Sequence, residues 1–395
     1  MAKTLMAVDA GTGSVRAVLF SLEGEQLGCV QQEWTHREDP RYPGSMDFDW
    51  VHNWDLARGC IRGVIEQTGV DPHDIAAVST TCMREGIVLY DKDGQEIWAC
   101  ANVDARSDDE VAQLVHMNPE LEKQIYRESG QTYALGALPR LFWVKNKMPE
   151  VYEKTAMCTM FNDWLIYKMT GVFSSEPSNA CTTGIFDLKA RDWDDQIAAS
   201  IGLKTGIFPK ISECGTVVAQ VGAKGAEETG LAEGTPVVAG GGDAQLGCVG
   251  VGVVDANQAA IFGGSFWQYE YNTDEAKTDE HCRVRVNCHS VPGIWQYEAL
   301  AFKPGMVMRW YRDAFCQYEK ELSKTTGRDP YDLMNEKAKD IPAGCYGMMC
   351  AFSDVMNYIS WRHASPMFIN FDFDPDKFNR YTFYRAIMEN TAMVT

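Results

Sequence analysis

The chain has 395 residues, 45% of them hydrophobic, and its 55 acidic side chains outnumber 36 lysines and arginines to give a formal net charge of −19. That length exceeds what one ordinary core encloses and predicts two globular domains, while the charge excludes DNA, RNA or an anionic membrane as the main partner by long-range repulsion. No run approaches the ~18 apolar residues that span a bilayer, Asp9 interrupts the N-terminal apolar segment, and the 13 cysteines are scattered with no C-x-x-C pair, so a cytoplasmic protein with reduced thiols is expected.

In chain order, Thr4–Asp9 predicts a buried strand, Ala10-Gly11-Thr12-Gly13-Ser14 a turn, and Val15–Phe20 a returning strand, with a third strand after Glu23-Gly24. From Asp49 to about Thr68, Trp50, Val51, Trp54, Leu56, Ala57, Ile61, Val64 and Ile65 fall near a 3.6 period, which predicts a helix over that sheet. Strands recur at Ile75–Thr81 and Gly86–Tyr90, the latter closed by the turn Lys92-Asp93-Gly94. Helical patterns dominate from Ser107 to Thr170. Thr235–Ala239 then leads, as a strand, into a Gly240-Gly241-Gly242 loop closed by Asp243.

Beyond Val254 the pattern begins again, with Gln258–Phe262 as a strand, Gly263-Gly264-Ser265 as a tight turn and Phe266–Tyr271 as the returning strand. Two such units predict a duplicated architecture, divided near residue 250 into domains 1–250 and 251–395. His281, Cys282, Cys288 and His289 resemble a metal set, but the alternation across Arg283–Val286 is that of a strand that would hold the two thiols roughly 20 Å apart. Asp376–Val394 reads as a helix with no element after it, so the sequence is expected to stop short of its natural C-terminus.

Several residues carry chemistry. Gly11, Thr12, Gly13 and Ser14, with Arg16 two residues on, either cradle phosphate oxygens on backbone N–H groups or form an ordinary hairpin whose glycines supply positive φ. Asp9 is either a turn former or a ligand to a hydrated Mg2+ ion. Three glycines before Asp243 leave room for a substrate whose hydroxyl that carboxylate can orient and deprotonate; the alternative is an N-cap for a helix starting at Ala244. Arg84 and Glu85 offer a donor fork beside an acceptor, suited to vicinal hydroxyls or a carbonyl, or else form a surface ion pair. Asp104 and Arg106 repeat that chemistry and both alternatives. Trp98, Trp143, Trp164 and Phe266-Trp267 are read as core packing.

Taken together, Asp9-Ala10-Gly11-Thr12-Gly13-Ser14-Val15-Arg16, Met83-Arg84-Glu85 and Gly240-Gly241-Gly242-Asp243-Ala244-Gln245 resemble, in order and separation, the FGGY carbohydrate kinases, over the whole chain. The resemblance implies an α/β fold of two actin-like, ribonuclease H-like ATPase domains with ATP in an interdomain cleft, the second domain incomplete. It implies a first phosphate turn of Gly11, Thr12, Gly13, Ser14 and Arg16 and a second of Gly263, Gly264 and Ser265. Arg84 and Glu85 would hold a sugar-like substrate, with Asp104 and Arg106 as further candidates; Asp243 would be the base and, with Asp9, would position Mg2+. The expected reaction is transfer of the γ-phosphoryl group of ATP to a substrate hydroxyl. A pentulose or glycerol is an alternative acceptor. The family's adenosine-binding motif would lie beyond residue 395, so a sugar-binding protein without turnover is a further alternative.

Overall fold

A computed structural model describes residues 3–134, 136–264, 267–301, 304–352 and 366–394. Two compact units divide the chain, one of Met1–Gln258 with Asn272–Gln296 and the other of Ala259–Tyr271 with Tyr297–Thr395.

The first unit opens with β1 (Thr4–Ala10), β2 (Ser14–Ser21) and β3 (Gln26–Glu33), an antiparallel meander in which Asp9 faces Arg16. Met6, Val8 and Ala10 alternate to the buried face of β1, as a half-covered strand requires. Helix α1 (Trp50–Thr68) covers it with Trp54, Ala57, Ile61 and Val64, capped at its start by Asp49 and stopped by Gly69 at φ 64°. Then β4 (Ile75–Cys82) pairs parallel to β1. β5 (Ile87–Tyr90) and β6 (Glu96–Cys100) precede four helices, α2 (Asp108–Met117), α3 (Leu121–Ser129), α4 (Ala137–Lys147) and α5 (Pro149–Lys154).

The predicted helical stretch is broken by β7 (Met157–Met160), which pairs with β5 and completes a three-stranded sheet in the order β6-β5-β7. Met157-Cys158-Thr159-Met160 is too short to carry a period, so this strand is not distinguishable from helix by pattern. α6 (Phe161–Thr170) and α7 (Pro177–Ala180) follow, then the ribbon of β8 (Phe186–Asp187) and β9 (Asp192–Trp193), α8 (Asp195–Ser200), β10 (Val217–Gln220), α9 (Ala223–Thr229), β11 (Pro236–Gly242) and α10 (Asp243–Gly250). The main sheet has six strands in the order β10-β11-β4-β1-β2-β3, with β11 parallel to β4.

The Gly240–Gly242 loop is corrected by this topology, since all three glycines lie in β11. A Cβ on Gly240 would stand 1.5 Å from the carbonyl oxygen of Thr80, and one on Gly241 would stand 2.8 Å from the hydroxyls of Ser178 and Ser290. Close packing of β11, rather than room for a ligand, accounts for these two glycines.

The chain then forms β12 (Ala259–Gly263) and β13 (Trp267–Thr273), a hairpin in which Gly263 faces Trp267, followed by β14 (Arg285–Cys288) and β15 (Trp295–Ala301). The second unit continues through α11 (Pro304–Phe315), α12 (Gln317–Thr326), α13 (Pro330–Ala338), the ribbon of β16 (Met349–Ala351) and β17 (Met367–Ile369), and α14 (Arg380–Val394). Its core gathers Val307, Tyr311, Met334, Met348, Phe352, Tyr384 and Ile387. The last helix begins four residues later than Asp376, because the Asp374 side chain accepts from the Asp376 N–H and the Asn379 side chain from the Tyr381 N–H, and the two together shape a turn there. Among the described residues no helix is long and apolar enough to cross a membrane.

Candidate active site

Parallel strands β1, β4 and β11 end together: Asp9 is level with Thr81, Gly241 with Thr81 and Gly242 with Cys82. In open α/β sheets, ligands gather outside the carboxyl ends of such strands. Here those ends carry Asp9 and the Gly11–Gly13 turn, Arg84 and Glu85, and Asp243.

The turn is anchored from below. The Trp34 indole donates to the carbonyls of Gly11 (3.0 Å) and Thr12 (3.2 Å), the His36 ring nitrogen meets the Thr12 carbonyl at 2.7 Å, and the Trp34 N–H donates to Gly13 (3.1 Å). The Asn102 amide donates to the Thr12 hydroxyl at 3.0 Å. Neither Gly11 nor Gly13 has a positive φ, which corrects the ordinary-hairpin reading of these glycines. A Cβ on Gly13 would meet nothing within 4 Å, and one on Gly11 only the Ser14 carbonyl at 3.4 Å. The protein's own packing therefore does not demand glycine at either position.

Arg16 pairs with Asp9 across the two strands at 2.9 and 2.8 Å. Burial raises the Asp9 pKa above the ordinary carboxylate value, although the guanidinium opposes it. Asp243 is the first residue of α10 rather than its cap, which is Gly242. Its Oδ1 accepts from the Ala244 N–H at 2.8 Å and stands 3.5 Å from Arg84 Nε. The side chain is 48% exposed, so water reaches it. Even so, burial pushes its pKa up to about 6 against the pull of Arg84, and Glu85 and Asp9 add to the push by like-charge repulsion.

Arg84 and Glu85 are not surface residues: their side chains are 4% and 7% exposed. Arg84 reaches Asp243, while Glu85 Oε1 accepts from Arg285 Nη1 at 2.6 Å. Glu85 has φ 66°, a left-handed conformation that a glutamate rarely adopts.

Asp104 and Arg106 are corrected as substrate ligands. The Asp104 carboxylate is fully covered, takes Arg106 Nε and Nη2 at 2.8 and 2.6 Å, and accepts the Met46 N–H at 2.6 Å. The Arg106 guanidinium stands against the Trp98 and Trp143 rings, 5.2 and 4.9 Å from their centroids, and donates to Asp47. With both partners enclosed and mutually bonded, the pair ties chain segments together.

Sequence reasoning missed Arg140. Buried on α4, it donates to the carbonyls of Glu85, of Asn102 at 2.6 Å and of Asp104 at 2.9 Å. One signal was present, a lone arginine in the otherwise apolar run Ala137–Val144. It also missed Glu176 and Ser178: the Ser178 hydroxyl donates to the Glu176 carboxylate at 2.7 Å and accepts the Gly242 N–H at 3.0 Å, directly before Asp243. In the second unit Gly263 ends β12 and Gly264 follows it, whereas Ser265 lies outside the described residues.

Residues 4–250 match the FGGY family of carbohydrate kinases, N-terminal domain. The chain belongs to that family. It is 47% identical over 392 residues to autoinducer-2 kinase of Klebsiella pneumoniae and 48% identical to that of Escherichia coli K12, matches that cover 99% of this chain and 74% of each relative. Among solved structures, xylulose kinase from Rhodospirillum rubrum matches 99% of this chain and 77% of its own with a TM-score of 0.84 and 22% identity. Plasmodium falciparum glycerol kinase with ADP matches 100% and 77%, at a TM-score of 0.83 and 17% identity. These two give the fold of this FGGY kinase, a mixed α/β actin-like, ribonuclease H-like architecture. Membership makes the chain a phosphotransferase with an alcohol group as acceptor.

Proposed function

We propose that this kinase transfers the γ-phosphoryl group of ATP to the terminal hydroxyl of linear 4,5-dihydroxy-2,3-pentanedione, the open form of autoinducer-2, and so retains a quorum-sensing signal in the cytoplasm. Identity of 47–48% with autoinducer-2 kinases along 99% of the chain supports the acceptor. The observation that carries the chemistry is a water-accessible Asp243, with a pKa of about 6, within reach of Arg84.

Phosphoryl transfer asks for alignment and charge neutralisation rather than covalent help from the protein. Arg84 and Glu85 hold the acceptor, and Asp243 takes the proton of its hydroxyl. A base titrating near 6 is mostly ionised at neutral pH yet far more basic than an ordinary aspartate. The Gly11–Ser14 turn and Arg16 meet the donor phosphates. Two glycines in the first turn that no internal contact requires are explained if the vacant space belongs to a phosphate. Asp9 and Asp243 would hold a magnesium ion: burial is the main cause that raises both carboxylates, and Asp9 adds to Asp243 a smaller like-charge repulsion that a cation relieves. Mg2+ bound with the nucleotide would supply neutralisation of the phosphate charge.

The test is ADP release from the chain with ATP, Mg2+ and a panel of dihydroxy-pentanedione, xylulose, ribulose and glycerol. The highest kcat/KM is expected for the first. Preference for a stable sugar overturns the acceptor, and no ADP release with any of them overturns the reading.

A further inference from the structure

Glu85 is an awkward residue for a binding site to depend on. Its carboxylate is nearly closed from water, and its backbone sits at φ 66°. A buried carboxylate needs a cationic or hydrogen-bonding partner, and a left-handed glutamate needs surroundings that hold it there. Two arginines distant in sequence provide both. Arg140 donates to the Glu85 carbonyl and fixes the backbone, while Arg285 Nη1 donates to Oε1 at 2.6 Å and fixes the side chain.

Arg285 is itself tightly placed. Its side chain is 3% exposed, and its Nε donates to Gln131 Oε1 at 2.7 Å. The Gln131 amide donates in turn to the Val286 carbonyl at 3.0 Å, and the Val286 N–H to the Gly130 carbonyl at 3.1 Å. Strand β14 docks so closely there that a Cβ on Gly130, whose φ is +70°, would stand 2.2 Å from the Val286 carbonyl oxygen. Arg285 is thus a rigid donor aimed at one oxygen of Glu85, and it lies outside the 4–250 segment that matches the family's N-terminal domain.

We propose that Arg285 is a positioning residue of the acceptor site: by occupying Oε1 of Glu85, it turns Oε2 towards the hydroxyls of the acceptor. The inference rests on the reading that Glu85 binds the acceptor. It places a determinant of acceptor affinity in β14, a strand made 200 residues after the carboxylate that it orients.

The experiment uses the full chain. Wild type is first assayed on the four-compound panel, and every later comparison uses the acceptor it prefers, so a wrong substrate assignment leaves this inference open to its own test. Arg285→Met is expected to raise the acceptor KM by about tenfold or more while moving the ATP KM by less than about twofold, with Arg285→Lys in between. The double variant Arg285→Met/Glu85→Gln is expected to match Glu85→Gln alone within about twofold, because Arg285 acts only through that carboxylate. A folded Arg285→Met enzyme with an unchanged acceptor KM, or with both KM values rising together, overturns the proposal. If the single variant does not fold, the double variant decides: a KM equal to that of Glu85→Gln supports positioning, and multiplied penalties overturn it. Should wild type turn over none of the four compounds, calorimetric binding of dihydroxy-pentanedione to the same variants gives the same comparison, and affinity indifferent to Arg285 overturns the inference.

Discussion

At the scale of single residues, the structure separates side chains and glycines that serve the fold from those left over. Asp243→Asn keeps the shape and removes the proton acceptor, so kcat is expected to fall by about 10²–10⁴-fold in the ADP-release assay. Undiminished turnover would reduce Asp243 to a helix-start residue. The same carboxylate has its folded pKa raised to about 6 from 3.8, so in the folded chain it holds its proton more tightly than in the unfolded one. That contribution to stability is therefore lost as pH rises through this window. Asp243→Asn should accordingly melt no lower than wild type at pH 8, while wild-type kcat/KM should decline as pH falls through about 6, where the base becomes protonated. A profile flat from pH 5 to 8 would rule Asp243 out as the titrating base. Two glycine substitutions make a complementary pair. Gly240→Ala drives a methyl into the Thr80 carbonyl and should cost about 3 kcal/mol or more in denaturant unfolding. Gly13→Ala meets nothing within 4 Å and should fold normally while weakening ATP binding several-fold by calorimetry; equal ATP affinity would free that turn of a phosphate role.

Between elements, guanidinium groups act as fasteners. Arg140 joins the loop after β4 to the one after β6 through three carbonyls. Arg140→Met should destabilise the first unit by about 3 kcal/mol, read as a lower denaturant midpoint, because buried carbonyls lose their donor. An unchanged midpoint would show that water replaces the guanidinium. This scale also explains what the sequence made legible. The alternation in β1 and the 3.6 period of α1 report burial on one face, and both elements form where that pattern lies. β7 reports nothing comparable, because a four-residue strand next to a helix leaves no room for a period. The motif residues Asp9, Arg84, Glu85 and Asp243 were visible as punctuation at strand ends. Their partners were not: Arg140 and Arg285 meet Glu85 only after the chain has folded, and sequence spacing carries no record of such meetings. Asp104 and Arg106 misled for the same reason, since an acid and a base two apart look alike whether they face a ligand or the rings of Trp98 and Trp143.

For the molecule as a whole, order along the chain was the most readable property. Three short motifs in sequence pointed to the FGGY family, and residues 4–250 match its N-terminal domain. Net charge sets a further expectation. A body carrying −19 repels an incoming nucleotide, and the repulsion reaches roughly 30 Å at 0.01 M salt but about 8 Å at 0.15 M. The association rate of ATP, measured by stopped flow, should therefore rise with added salt. A rate that falls instead would mean that the local field of arginines such as Arg16 outweighs the global charge.

The first unit is not a continuous stretch of sequence: it closes only when Asn272–Gln296 has joined Met1–Gln258. A ribosome delivers residues in one direction, so a nascent chain cannot finish this unit when residue 258 emerges. It must wait, with the docking place for β14 uncovered, until the Ala259–Tyr271 excursion and the stretch after it have left the exit tunnel. A translational pause inside that interval would leave Glu85 without Arg285 and expose the growing protein to chaperone capture at one defined length.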